Sequence, residues 1–161
     1  MSVKEILILG NDHLNRVCQP IEANNLEKAK QVVNDLHDTM MAFREKHGFG
    51  RAIAAPQIDE PYRIIYMNVD GHITAFINPV MEFIGDEQME LWDDCMSFPG
   101  LEVKVKRYKT CNVHYKDLNF EDCTLTFTGD LSELIQHEYD HLDGILAVER
   151  ALNLRSFRMK P

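Results

Sequence analysis

The segment Gln136-His137-Glu138-Tyr139-Asp140-His141 decides how this chain is read. Residues four apart share one face of a helix, so the imidazoles of His137 and His141 can reach a single metal ion. Glu138 stands one position round from His137, beside such an ion rather than on it, where a carboxylate can hold and deprotonate water. Chance alone gives a His-Glu-x-x-His in roughly 2% of chains of this composition, so a metal site outweighs a merely solvated polar face. The helix is predicted to begin near Asp130, whose spacing to Glu133 resembles a capping box, and to run through His141. Gly144 is placed to end it.

Two imidazoles need a third ligand. A metzincin-like protease would supply it from a third histidine, but Ala147 stands at that position, although Gly144 is in register. A thermolysin-like protease would use a glutamate well downstream, and only Glu149 is offered before the sequence stops. The ligand is therefore expected upstream, with Cys95 of Asp93-Asp94-Cys95-Met96-Ser97 the best candidate. A thiolate with two imidazoles and an open fourth position suits catalytic Zn²⁺ or Fe²⁺.

Upstream of the helix the pattern alternates. Tyr62 to Val69 and Ile73 to Ile77 read as strands around the turn signal Asp70-Gly71. Leu101, Val103 and Val105 alternate with charged residues, and Cys111, Val113, Tyr115 and Cys123, Leu125, Phe127 repeat the pattern, which predicts half-buried antiparallel strands. From about Asn25 to Lys46, Leu26, Ala29, Val33, Leu36, Met40 and Phe43 recur at steps of three and four, a long helix with Asn24 or Asn25 as its cap and His47-Gly48 at its end. The small-residue run from Gly48 to Gln57 has no helical stripe and suits a backbone that something else must approach closely. The expected fold is α+β: antiparallel β-sheets around a central C-terminal helix carrying the motif, with a long N-terminal helix.

Composition narrows the classes. The 161 residues are 45% apolar and 27% charged, with a formal net charge of −9, which argues against a broad nucleic-acid surface. The longest N-terminal apolar run, Ile6 to Leu9, is too short for a membrane span or a signal-peptide core. Four cysteines without a Cys-x-x-Cys pair fit a reducing cytoplasm. Lys104, Lys106, Arg107 and Lys109 form a local basic patch, read as a solvated face or else a transient ribosome contact. His13, His47, His72 and His114 lack partners at ligand spacing and are expected at the surface.

Taken in order, Gly50-Arg51-Ala52-Ile53-Ala54-Ala55-Pro56-Gln57, Asp93-Asp94-Cys95-Met96-Ser97 and Gln136 to His141 resemble the three motifs of the peptide deformylases. Leu14, Val17, Cys18 and Pro20 are similar to the family's N-terminal segment, so the resemblance covers nearly the whole chain, residues 1–161 as one domain. It implies a metal-dependent hydrolase that removes the N-formyl group from N-formylmethionyl peptides of newly made proteins. Cys95, His137 and His141 would then hold Fe²⁺, replaceable by Ni²⁺, Co²⁺ or Zn²⁺. Glu138 would be the general base and then acid, with the Gln57 amide and the Met96 N–H stabilising the oxyanion. The substrate would lie along Gly50, Arg51, Ala52, Asp94 and Glu133. A cytoplasmic monomer acting on a nascent peptide, with no membrane or specific nucleic-acid partner, is the matching setting.

Four of these positions depart from the family. Ala52 and Asp94 replace glycines, while Arg51 and Glu133 replace apolar residues that line the pocket for the methionine side chain. Burying an unpaired charge costs several kcal/mol, so such a pocket suits a thioether poorly unless Arg51 pairs with Glu133 or Asp94. The alternatives are another N-formyl or N-acyl substrate, or a catalytically weak metal-binding relative.

Overall fold

In the computed structural model, which describes residues 2–161, the chain is α+β as expected. A long helix α1, Leu26–His47, is followed by strands β1 Ala52–Ala54, β2 Ile64–Val69 and β3 His72–Phe83. Then come β4 Gln88–Asp93, β5 Leu101–Tyr108, β6 Thr110–Lys116 and β7 Asp122–Thr128. Helix α2, Asp130–Leu142, carries the motif, and β8, Phe157–Met159, ends the series. The strands form a five-stranded sheet in the order β1-β2-β3-β6-β7 and a three-stranded sheet in the order β4-β5-β8, antiparallel throughout. Helix α2 touches β1 and β7 of the first sheet and β5 of the second.

Local chemistry explains most of this order. Asp70 and Gly71 both have positive φ (53° and 82°), the conformation of a two-residue hairpin turn, and they fix the β2–β3 register from Val69↔His72 onward. The apolar stripe of α1 is buried at Ala29, Val33, Leu36, Met40 and Phe43, against Ile53, Ile64 and Tyr66. A second core joins Leu134, Ile135 and Leu142 of α2 to Ile65, Met67, Phe76 and Val113 of the larger sheet. His13, His47, His72 and His114 are exposed, as expected.

Several local expectations are corrected. Asn25 makes no side-chain capping bond, because a 3₁₀ turn over Ala23–Asn25 leads directly into α1. The Asp130–Glu133 box does not form either: Gly129 is the N-cap of α2, and the Glu133 carboxylate is drawn to Arg51 instead. On the outermost strand β7, Phe127 is buried while Leu125 is exposed. The basic strand also divides by face. Alternation points Val103, Val105 and Arg107 inward, so Arg107 is buried rather than solvated. Lys104 and Lys109 meet Glu90 and Glu87 at 4.0 and 2.9 Å.

Candidate metal centre

Strand β4 ends at Asp93, and the chain then turns through Cys95, where the Phe98 N–H donates to the Cys95 carbonyl at 3.1 Å. This turn puts the Cys95 thiol against the buried face of α2. The ligand atoms of Cys95, His137 and His141 lie within 4.8 Å of one another, and all three residues are buried. Cys95 Sγ is 3.5 Å from His141 Nε2.

His137 is aimed by its other nitrogen. Its Nδ1 is 2.9 Å from Asp93 Oδ2, leaving Nε2 to face the cluster. Asp93 in turn accepts from Arg107 at 3.2 Å. Arg107 also donates to Asp140 at 2.6 Å, and Asp140 is gripped by both Nε and NH2 of Arg150 at 2.6 and 2.9 Å. A relay of alternating charge, buried from Asp93 through Asp140 and reaching the surface at Arg150, thus stands behind one imidazole. Burial opposes the ionised form of Asp93, but His137 and Arg107 outweigh it and hold the carboxyl below its ordinary range. Burial likewise pushes His137 down, yet Asp93, with Cys95 and Glu138, carries it well above the usual imidazole value. For His141, burial followed by the charge of His137 outweighs the upward pull of Asp93 and takes it well below.

Glu138 is fully buried beside the triangle. Its Oε2 is 4.0 Å from His137 Nε2, while its Oε1 has no hydrogen-bond partner among the described residues. Burial raises its carboxyl to about 7, with His137 acting the other way. On the far side of the thiol, Gln57 follows β1 in a 3₁₀ turn. Its Oε1 accepts from the Ala54 N–H at 2.9 Å, which orients Nε2 toward Ser97 Oγ at 3.1 Å and Cys95 Sγ at 3.5 Å.

These donors fit a divalent ion. One thiolate and two imidazoles from two elements make three corners of a tetrahedron, with a carboxylate oxygen lacking a partner beside the fourth. With Asp93 holding His137 above the usual imidazole range, an ion at Nε2 would compete there with a proton.

A cavity of about 320 Å³ adjoins the triangle, and Gly50, Arg51, Ala52, Asp94 and Glu133 all line it together with Met96. Gly50 has φ +124°, and a Cβ there would come within 3.2 Å of Met96 Sδ. The Ala52 methyl belongs to the core cluster with Met67, so the extra carbon is absorbed inside. The charges are paired: Arg51 NH2 meets Glu133 Oε1 at 2.9 Å, and Asp94 meets Lys160 at 2.9 Å rather than Arg51. Lys160 Nζ also lies 3.2 Å from the centre of the Phe49 ring.

Sequence reading passed over the relay of Asp93, Arg107, Asp140 and Arg150. Asp93 and Asp140 were visible as acids flanking ligands inside the motifs. Arg107 was hidden within an apparently basic strand.

A family model described as polypeptide deformylase matches residues 3–156. The chain is 35% identical to peptide deformylase 1 of Prochlorococcus marinus over 98% of its own length and 85% of that protein. The crystal structure of peptide deformylase from Thermotoga maritima superposes with a TM-score of 0.85 at 28% identity, covering 95% of this chain and 100% of that one. The Met-Ala-Ser-bound class I type b peptide deformylase from Acinetobacter baumannii gives 0.84 at 29% identity, covering 92% and 98%. With a matching model across almost every residue and relatives of this identity, the chain belongs to the polypeptide deformylase family.

Proposed function

We propose that the chain, acting as one domain over residues 1–161, hydrolyses the formyl group from the N-terminus of N-formylmethionyl peptides of newly made proteins. The observation that carries this reading is the buried Cys95–His137–His141 triangle with the Glu138 carboxyl beside it. These three residues would hold one divalent ion, Fe²⁺ by preference with Zn²⁺, Ni²⁺ or Co²⁺ as substitutes, and that ion supplies a Lewis acid and acidifies water. Glu138 takes a proton from the attacking water and returns it to the leaving amine, a role that its carboxyl near 7 suits at neutral pH. Gln57 Nε2, held toward the thiol by the Ala54 N–H, donates to the oxygen that becomes negative as water adds to the formyl carbon. The Met96 N–H, next to Cys95 in the same turn, is assigned as the second donor. The C–N bond then breaks, leaving formate and a free peptide amine.

Met-Ala-Ser, bound in the related A. baumannii structure, is the peptide that deformylation of formyl-Met-Ala-Ser would leave. The setting that goes with this reading is a monomer in a reducing cytoplasm, where the buried Cys95 thiol stays free. Among the described residues no helix is long and apolar enough to cross a membrane.

Purified protein is expected to release formate from formyl-Met-Ala-Ser, to lose that activity on chelation and to regain it with Fe²⁺, Co²⁺ or Ni²⁺. Metal-loaded protein that frees no formate from any formyl-peptide overturns the reading.

A further inference from the structure

Resting on the deformylase reading, we infer that Lys160 is a positioning residue of this site: its ammonium ties together two segments that line the cavity, and so sets the grip on a bound peptide. One segment is the loop from α1 to β1, which supplies Phe49, and the other is the turn after β4, which supplies Asp94. These segments belong to different sheets, since β1 lies in the larger and β4 in the smaller. Lys160 Nζ is 2.9 Å from Asp94 Oδ2 and 3.2 Å from the centre of the Phe49 ring, so one cation touches both.

Backbone pairing carries the ammonium there. Strand β8 pairs with β5 from Val103↔Phe157 to Leu101↔Met159, and the Lys160 N–H then donates to the Gly100 carbonyl at 2.8 Å. Side chains two apart along a strand share a face. Arg158 accordingly lies 4.0 Å over the Trp92 ring and bonds Glu102 at 2.9 Å, while Lys160 reaches the next ring and carboxylate. Phe49 also packs edge-on against Phe43 of α1, with ring centres 5.0 Å apart.

Asp94 stands where the family has a glycine, so its carboxylate is an added charge at the cavity, and Lys160 is its counter-ion. Lys160 is 24% exposed and Asp94 41%. A pair this exposed contributes little to global stability, and a cation over an aromatic ring adds a modest amount. Removing the ammonium therefore leaves the fold and the metal triangle standing, but it frees the two segments and leaves Asp94 uncompensated beside the peptide. A contact that serves bound substrate and transition state alike shows in KM rather than in kcat.

Lys160→Met keeps the aliphatic stem and removes the charge. With metal content matched, KM for formyl-Met-Ala-Ser is expected to rise about three- to tenfold with kcat little changed, and the Kd of the product peptide Met-Ala-Ser to weaken by the same factor. Lys160→Arg, whose guanidinium can pair with a carboxylate and stack on a ring, should bring both values back to within about twofold of wild type. In an Asp94→Gly background, where the ammonium has lost its carboxylate, adding Lys160→Met should change KM less than about twofold, because the two residues act as a pair. Unchanged KM and Kd in Lys160→Met overturn the inference. So does a loss of equal size in the Asp94→Gly background, which would mark a role that does not pass through Asp94. Metal-loaded wild type that releases no formate from any formyl-peptide removes the deformylase reading, and this inference falls with it.

Discussion

In the role proposed for it Glu138 acts on water from a buried position, and that burial carries a penalty readable without substrate. In the folded, metal-free protein its carboxyl holds a proton up to about pH 7, whereas the unfolded chain releases it near 4.5. A folded value raised above the unfolded one means stability that is full below 4.5 and drains away as pH rises through 7. The 2.5-unit gap corresponds to about 3 kcal/mol at most. Glu138→Gln removes the drain. In the chelated protein the variant's Tm should exceed that of wild type by about 6 °C more at pH 8 than at pH 5. Loaded with metal, the same variant should retain the ion while kcat falls by about 10²-fold or more. A pH-independent Tm difference would show that this carboxyl does not titrate as a buried group.

Helix α2 departs from the usual division into an apolar and a wet face. Ser132, Glu133, Gln136, His137, Glu138, Asp140 and His141 are all buried, because two sheets close over the helix. Such an element survives only if most of its polar atoms are satisfied by others: Asp93 takes His137, the Tyr108 backbone takes Ser132 and Gln136, Arg51 takes Glu133, and Arg107 of β5 bridges Asp93 and Asp140. Arg107→Leu leaves Asp93 to His137 alone and Asp140 to Arg150 alone, and should cost about 3 kcal/mol. Thermal unfolding should record this as a Tm lowered by about 10 °C, with weaker metal retention because Asp93 no longer aims His137. The loop after α2 is equally constrained. Gly144 has φ +74°, and a Cβ there would lie 2.5 Å from the backbone oxygen of Asn15. Gly144→Ala should lower the denaturation midpoint by the equivalent of about 3 kcal/mol with the slope unchanged.

These elements also show where sequence reading succeeds. Periodicity revealed α1, and Asp70-Gly71 revealed its hairpin, because both are local properties of neighbouring residues. The three ligands were legible because their chemistry narrows the residue types. The Arg51–Glu133 pair was foreseen only as one of two partners for Arg51, and the relay was not foreseen, since each joins residues far apart in sequence: Arg107 is 33 positions from Asp140, and Arg51 is 82 from Glu133. Asn78 makes the same point. It bends β3 at φ +52° and holds both backbone polar groups of Ile21, a partner 57 residues earlier that no strand pattern announces.

At the scale of the molecule, the triangle joins a turn at the end of the smaller sheet to the helix between both sheets. His137 and His141 come together as soon as one helical turn forms, whereas Cys95 is 46 residues from His141. Closing a loop of that length by a cross-link removes entropy from the unfolded chain worth about 4 kcal/mol at 25 °C, and a bound ion acts as such a link. Contacts of this range form after the rate-limiting step when the nucleus is local, so they slow unfolding without speeding folding. Stopped-flow traces should therefore show one refolding limb with and without chelator, and an unfolding limb at least tenfold faster once the ion is removed. A refolding limb that slows on chelation would place the triangle in the nucleus instead. The lifetime of the native chain is then set by the residence time of its ion, so metal starvation would shorten the protein's persistence as well as silence its chemistry.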